Sequence, residues 1–319
     1  MTVSTFRKLE RFLIAAALSV LGAVILVPQV ASAAPPKIGP GACGGVGVPN
    51  AYCSFETPTG EDVVIGHGSC NVEGACLGLG NGTRIGNGSC NGEGACWGAG
   101  SDSGDARIGD GSCNGWSACS YVGFNSGSVR IGNGSCNDMG ACRNSRESSS
   151  VRVGNGSCNG YDACADAGAL GSSSAGNDSC NGEVACWLAG ADGSSIAGNN
   201  SCNGLGACFA AGSNGSSSVG KGACIGDYAC TGAGYGGSSR VGNNACNGES
   251  ACSDVGNNSG NSRIGNDSCG AESACAAAGS DGSSVIGNHS CNQQVPSFGV
   301  CEGVGAYGGS SVIGNNKFN

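Results

Sequence analysis

A pair of cysteines that returns about every 22 residues constrains this chain more than anything else in it. The unit Ile85-Gly-Asn-Gly-Ser-Cys-Asn-Gly-Glu-Gly-Ala-Cys96 and its close copies run from Ile65 to the C-terminus. Their first cysteines fall at Cys70, Cys90, Cys113, Cys136, Cys158, Cys180, Cys202, Cys224, Cys246, Cys269 and Cys291, in steps of 20, then 22 or 23. Such self-similarity implies stacked units that bury a continuous core only by lying on one another.

Each unit reads as a branched apolar residue, Gly, usually Asn, a small residue, Ser or Ala, Cys, usually Asn-Gly, two variable residues, Ala and Cys, closed by a Gly-Ser stretch. This is neither a helical period nor a long strand alternation. Gly, Ser and Asn at this density also disfavour helix. Short strands broken by glycine turns fit, which predicts an all-β parallel β-helix (β-solenoid) of about twelve 22-residue coils with one disulfide per coil. Ile85, Ile108, Ile131, Val153, Val219, Val241, Ile264 and Ile286 should then stack inside, with Ala175 and Ala197 in the same column. The glycine after each apolar residue, from Gly66 to Gly314, reflects either a positive φ or a backbone too close for a Cβ. No proline lies between Pro58 and Pro296, which leaves the ladder of strands uninterrupted.

Without that period the composition would read as disordered, since 64 of 319 residues are Gly and only 12% are charged. The N-terminus has the layout of a secretory leader. Arg7, Lys8 and Arg11 precede an apolar run from Phe12 to Val27 and then Ala31-Ser32-Ala33, which predicts a signal peptide over residues 1–33. Residues 34–62 read as a linker and N-terminal capping coil, 63–284 as regular repeats, and 285–319 as an atypical C-terminal coil and cap. Lys37-Ile38-Gly39 already resembles the start of a repeat. Removing the leader takes three basic residues and Glu10 from the 14 basic and 23 acidic, which leaves a net charge of −11. That charge argues against nucleic acid as a partner. No second apolar run offers a membrane span, and secretion or display at the cell surface is the expected destination.

An even number of cysteines in an exported chain implies disulfides. The pairs are Cys70 and Cys76, Cys90 and Cys96, Cys113 and Cys119, Cys136 and Cys142, Cys158 and Cys164, Cys180 and Cys186, Cys202 and Cys208, Cys224 and Cys230, Cys246 and Cys252, and Cys269 and Cys275, each with five residues between. Cys43 and Cys53 at one end, and Cys291 and Cys301 at the other, have nine. Bridges within a coil, bridges between coils and metal sites compete. Metal fits poorly, because the only histidines are His67 and His289, and no cofactor is implied. Pairing within the coil is favoured because both end units lengthen their spacing and still keep two cysteines. Each bridge would contribute about 2 kcal/mol by loop-closure entropy, so reduction should unfold the domain.

Ser89-Cys90-Asn91 followed by Ala95-Cys96 resembles the coil of insect β-helical antifreeze proteins, in which a second cysteine six residues on closes a disulfide across each coil. The resemblance covers the Cys-x5-Cys spacing and the small polar flanks in ten units. Those coils are about half as long, and their Thr columns are Ser and Asn here. It implies a disulfide-closed solenoid and, as a functional expectation, ice binding.

Several surfaces could carry function. If the first cysteine points inward along a strand, Ser89, Ser112, Ser135, Ser157 and Ser179 on one side and Asn91, Asn114, Asn137, Asn159 and Asn181 on the other would form a flat polar lattice able to order water or bind ice. The bland alternative is that the asparagines satisfy backbone groups as a ladder. Arg84, Arg107, Arg130 and Arg152, joined by Arg143 and Arg146, suggest a basic stripe suited to a sulfated or carboxylated polymer. A solvated edge is the competing reading. Trp116, Met139 and Tyr161 share one column and Trp187 and Phe209 another, as sugar-stacking faces or as cover for the disulfide edge. Asp227, Glu249 and Glu272, with the smaller pair Glu73 and Glu93, are the best carboxylate sets for a polysaccharide-active β-helix enzyme. They lie in a variable turn without long loops to make a cleft. His67 and His289 are ten coils apart, too far to share a site. The reading that absorbs most of these features is a non-catalytic secreted or cell-surface protein presenting a rigid repetitive surface for adhesion or glycan binding. The partners that fit are an extracellular polysaccharide, a cell-surface component or ice.

Overall fold

The computed structural model describes residues 34–44, 52–56, 62–125, 127–144, 150–293 and 299–318. The leader segment 1–33, Arg146, Pro58 and Pro296 lie outside them. From Pro35 onward the chain forms one compact unit. Its strands are β1 (Lys37–Ile38), β2 (Cys53–Phe55), β3 (Val64–Ile65), β4 (Cys76–Leu79), β5 (Arg84–Ile85), β6 (Asp105–Ile108), β7 (Ser128–Ile131), β8 (Ser150–Val153), β9 (Ser172–Ala175), β10 (Ser194–Ala197), β11 (Ser216–Val219), β12 (Ser238–Val241), β13 (Asn261–Ile264), β14 (Ser283–Ile286) and β15 (Ser310–Ile313). All but β2 and β4 belong to a single 13-stranded parallel sheet in which each coil adds one strand. Register is strict: Arg84 stands opposite Arg107 and Ile85 opposite Ile108, then Arg130 and Ile131, then Arg152 and Val153. The protein is a parallel β-solenoid with coils about 22 residues apart. Its first rung is Lys37-Ile38, paired with Val64-Ile65.

Alternation within four-residue strands sets the inside and the outside. In β7 and β8 the first and third residues are exposed and the second and fourth buried. The fourth position is the apolar column expected from the repeat; Ile85, Ile108, Ile131, Val153, Val219, Val241, Ile264 and Ile286 are all buried, as are Ala175 and Ala197. Beside it runs a column of fully buried alanines, Ala95, Ala118, Ala141 and their equivalents. Twelve bridges close the coils, from Cys43–Cys53 through Cys90–Cys96 to Cys291–Cys301, each within its own coil, and no cysteine is free. Sulfurs of successive bridges, such as those of Cys142, Cys158 and Cys164, come within 4.8 Å of one another. The interior is therefore a thin column of branched side chains, alanines and stacked disulfides.

The glycine after each apolar residue is required by close approach. A Cβ built on Gly66 would lie 2.5 Å from the carbonyl carbon of Gly86 in the next coil, and one on Gly154 would lie 2.5 Å from that of Gly176. At Gly314, in the last described rung, a Cβ would meet nothing. Positive φ appears instead at the first cysteine of each bridge, near 55° from Cys43 to Cys291.

Candidate functional site

The sheet supplies a regular exposed surface, with one strand from each coil in register. Its outward residues form two parallel columns, at strand positions one and three. Ser128, Ser150 and Ser172 are exposed in the first. In the third-position column Arg84, Arg107, Arg130 and Arg152 follow one another in register, all exposed. Ser174, Ile196 and Ser218 come next, and then Arg240 and Arg263 are paired across β12 and β13. Sequence reasoning overlooked Arg240 and Arg263, although they hold the same place in the repeat, directly before the buried Val241 and Ile264. These two arginines, with Ser194, Ile196, Ser216 and Ser218, line a shallow depression of about 430 Å³.

Strand spacing places neighbouring arginines about 4.8 Å apart at the backbone, and like charges directly opposite one another destabilise a sheet. Only Arg107 is offset, by Asp105 two residues away at 3.4 Å, and that pair is well exposed. Arg84, Arg130, Arg152, Arg240 and Arg263 have no ion pair or side-chain hydrogen bond among the described residues. Five unpaired guanidiniums therefore stand on the outer face of a chain whose net charge is −9. Each is a planar fork suited to a carboxylate or sulfate.

Arg143 does not belong to this column. It follows the second cysteine of its bridge, and its Nη2 lies 3.0 Å from Oδ2 of Asp162 in the next coil. Burial pushes the Asp162 carboxyl above its ordinary value, against the attraction of Arg143.

The polar lattice expected from the Ser-Cys-Asn segments is not formed. Ser89, Ser112, Ser135, Ser157 and Ser179 are fully buried. The premise of an extended strand fails because the central cysteine is left-handed in φ, which turns the serine inward. The hydroxyl of Ser89 donates to the Gly109 carbonyl at 2.8 Å and accepts the Ser112 N–H at 3.2 Å. Ser112 and Ser135 repeat both bonds toward Gly132 and Ser135, and toward Gly154 and Ser157. Asn91, Asn114, Asn137, Asn159 and Asn181 are half-buried, and each Oδ1 accepts the backbone N–H of the preceding asparagine at 3.0 to 3.1 Å. Asn91, Asn159 and Asn181 also donate through Nδ2 to glycine carbonyls. A second ladder of the same kind links Asn133, Asn155, Asn177 and Asn199. These side chains hold the coils together.

The aromatic sets fall on the disulfide edge. Trp116, Met139 and Tyr161 are each at least 41% exposed. Trp187 and Phe209 are half-buried and pack edge to face at 5.6 Å, with the indole N–H donating to Asp166. Asp227, Glu249 and Glu272 are exposed on turns, and Asp227 accepts the Leu205 N–H at 2.9 Å as a further ladder contact. Asp267 is 3.8 Å from His289. Among the described residues no helix is long and apolar enough to cross a membrane.

Residues 124–218 of the chain, β7 to β11 with Arg130 and Arg152, match a family described only as a domain of unknown function, DUF7640. No curated protein and no solved structure matches the chain.

Proposed function

We propose that this chain is an exported, non-catalytic binding protein whose sheet face takes an anionic polymer, a sulfated or carboxylated polysaccharide. The observation that carries this reading is the in-register column Arg84, Arg107, Arg130 and Arg152, exposed and almost wholly unpaired on one sheet. Four like charges in adjacent strands weaken the fold, and a polymer with repeated negative groups offsets that cost. Rigidity adds to it, because a column held by hydrogen-bonded ladders and bridges loses little freedom when a ligand binds. Twelve disulfides and the leader-like N-terminus support export, since bridges persist in oxidising compartments. The exposed turn placement of Asp227, Glu249 and Glu272 supports a non-catalytic role.

Retention of the oxidised protein on sulfated, carboxylated and uncharged polysaccharide matrices tests this. The proposal expects retention on the first two, elution by salt as exposed charges are screened, and passage through the third. Retention on the uncharged matrix alone would contradict it. An ice-binding reading would have to rest on the sheet's first- and third-position serines, as with Ser172 and Ser174 on β9 and Ser216 and Ser218 on β11. Thermal hysteresis of the oxidised protein decides that reading separately.

A further inference from the structure

At the N-terminal end of the disulfide edge lies an open cleft of about 680 Å³ lined by Val72, Glu73, Leu77, Glu93 and Trp97. Nothing in the arginine column bears on it. Its wall is the indole of Trp97, 50% exposed. Tyr121, from the next coil, lies 5.6 Å behind that ring at a tilt of 36°, and Phe124 meets Tyr121 edge-on at 5.7 Å. The platform is thus propped on one side and leaves its other face to the cleft, whose apolar floor is Leu77 of the preceding coil.

Glu73 and Glu93 occupy equivalent places in successive coils, three residues after Cys70 and Cys90. Neither carboxylate, nor the indole N–H of Trp97, has a partner among the described residues. Gly74 and Gly94 beside them both have positive φ; a Cβ on Gly74 would meet nothing, and one on Gly94 would lie 3.3 Å from the Ser117 hydroxyl.

From this we infer that the cleft binds a protonated amino sugar. The apolar face of the sugar ring lies on Trp97, while its ammonium group sits between the indole face and the two carboxylates. Indole faces attract cations, and more strongly where water is displaced. A neutral sugar would cover the same ring but leave two carboxylates partly desolvated and uncompensated, which disfavours it.

Isothermal titration of the oxidised full chain with glucosamine oligomers tests the inference. N-acetylglucosamine oligomers and butylammonium serve as comparison ligands. The expected result is binding of the glucosamine oligomer that weakens by about tenfold or more on N-acetylation. Similar losses are expected in Glu93→Gln, which keeps the side chain's shape, and in Trp97→Ala with its circular dichroism intact. Equal affinity for the acetylated oligomer, full affinity in Glu93→Gln, or no binding at all would overturn the assignment. Equal affinity for butylammonium would overturn the part played by the sugar ring.

Discussion

The hydroxyl of Ser112 lies 3.2 Å from the backbone nitrogen of Ser135, one coil on, and 2.7 Å from the carbonyl of Gly132, so one buried side chain clamps two neighbouring coils. Removing it leaves a buried N–H and a buried carbonyl without that partner. Ser112→Ala should destabilise the protein by about 1–3 kcal/mol, read as a fall in the thermal midpoint. An unchanged midpoint would mean that the ladder contributes nothing to stacking.

Both asparagine ladders break where the coil of Cys202 meets that of Cys224. Lys221 and Ile225 stand there in place of the asparagines that would accept from Asn199 and Asn203, and Ala223, like Ala245, lacks the hydroxyl that would reach on to the following coil. Ser201 instead donates to its own coil's Gly198 at 2.6 Å. Backbone bonding continues, as from Cys202 N–H to Ala223. The triple variant Lys221→Asn/Ala223→Ser/Ile225→Asn should stabilise the solenoid by about 2 kcal/mol, since the restored contacts, spread over two neighbouring junctions, do not add fully. In the native protein the amides of Asn199 and Asn203 should exchange with solvent faster than those of Asn155 and Asn159. Hydrogen exchange resolved by residue checks this.

A second interior column changes character along the chain. Position two of the strands is Ala106, Val129 and Val151 in β6 to β8, then Ser195, Ser217 and Ser239 further on, all buried. Among the described residues the hydroxyls of Ser217 and Ser239 have no partner. Ser239→Ala removes an unpaired buried hydroxyl and places there the residue that β6 already uses. It should raise stability by about 1 kcal/mol, visible as a shifted denaturant midpoint with unchanged slope.

Arg143 and Asp162 predict a pH dependence. Burial raises the Asp162 carboxyl above its ordinary value and Arg143 opposes that rise. In Arg143→Gln the carboxylate stays almost buried without its cation, so its pKa climbs further and the variant loses about 1–2 kcal/mol at neutral pH, less than for a fully buried pair. The folded state then holds the proton more tightly than the unfolded chain. The deficit should therefore shrink as pH falls through the raised pKa toward the ordinary carboxylate range. Urea unfolding of wild type and variant across that window measures it. The double variant Arg143→Gln/Asp162→Asn should show no such recovery.

Much of the fold was legible because identity and spacing alone determine it. The apolar column from Ile85 to Ile286, the pairing of Cys90 with Cys96, and the start of a rung at Lys37-Ile38 needed no knowledge of dihedral angles. The serines were misplaced because their direction depends on the φ of the following cysteine. A Ser-Cys-Asn segment reads as extended until Cys90 is seen to be left-handed. The arginine column was visible in part; the residue before each apolar position carried the signal, and Arg240 and Arg263 were there to be found. Arg143 was grouped with that column by residue type alone, whereas its place after Cys142 puts it on the disulfide edge. Trp97 was passed over because its partner Tyr121 sits one place further along the next coil. That offset becomes a contact only once the coils are stacked.

The most direct test of the arginine column compares the affinity of the oxidised wild-type chain for dextran sulfate with that of Arg84→Ser/Arg107→Ser/Arg130→Ser/Arg152→Ser. Serine already occupies this column at Ser174 and Ser218, so the variant should keep the fold, which circular dichroism verifies. The account predicts binding weaker by about 100-fold or more, as four charge-assisted contacts are lost, together with a shallower dependence on salt. Equal affinity and equal salt dependence in a folded variant would contradict it.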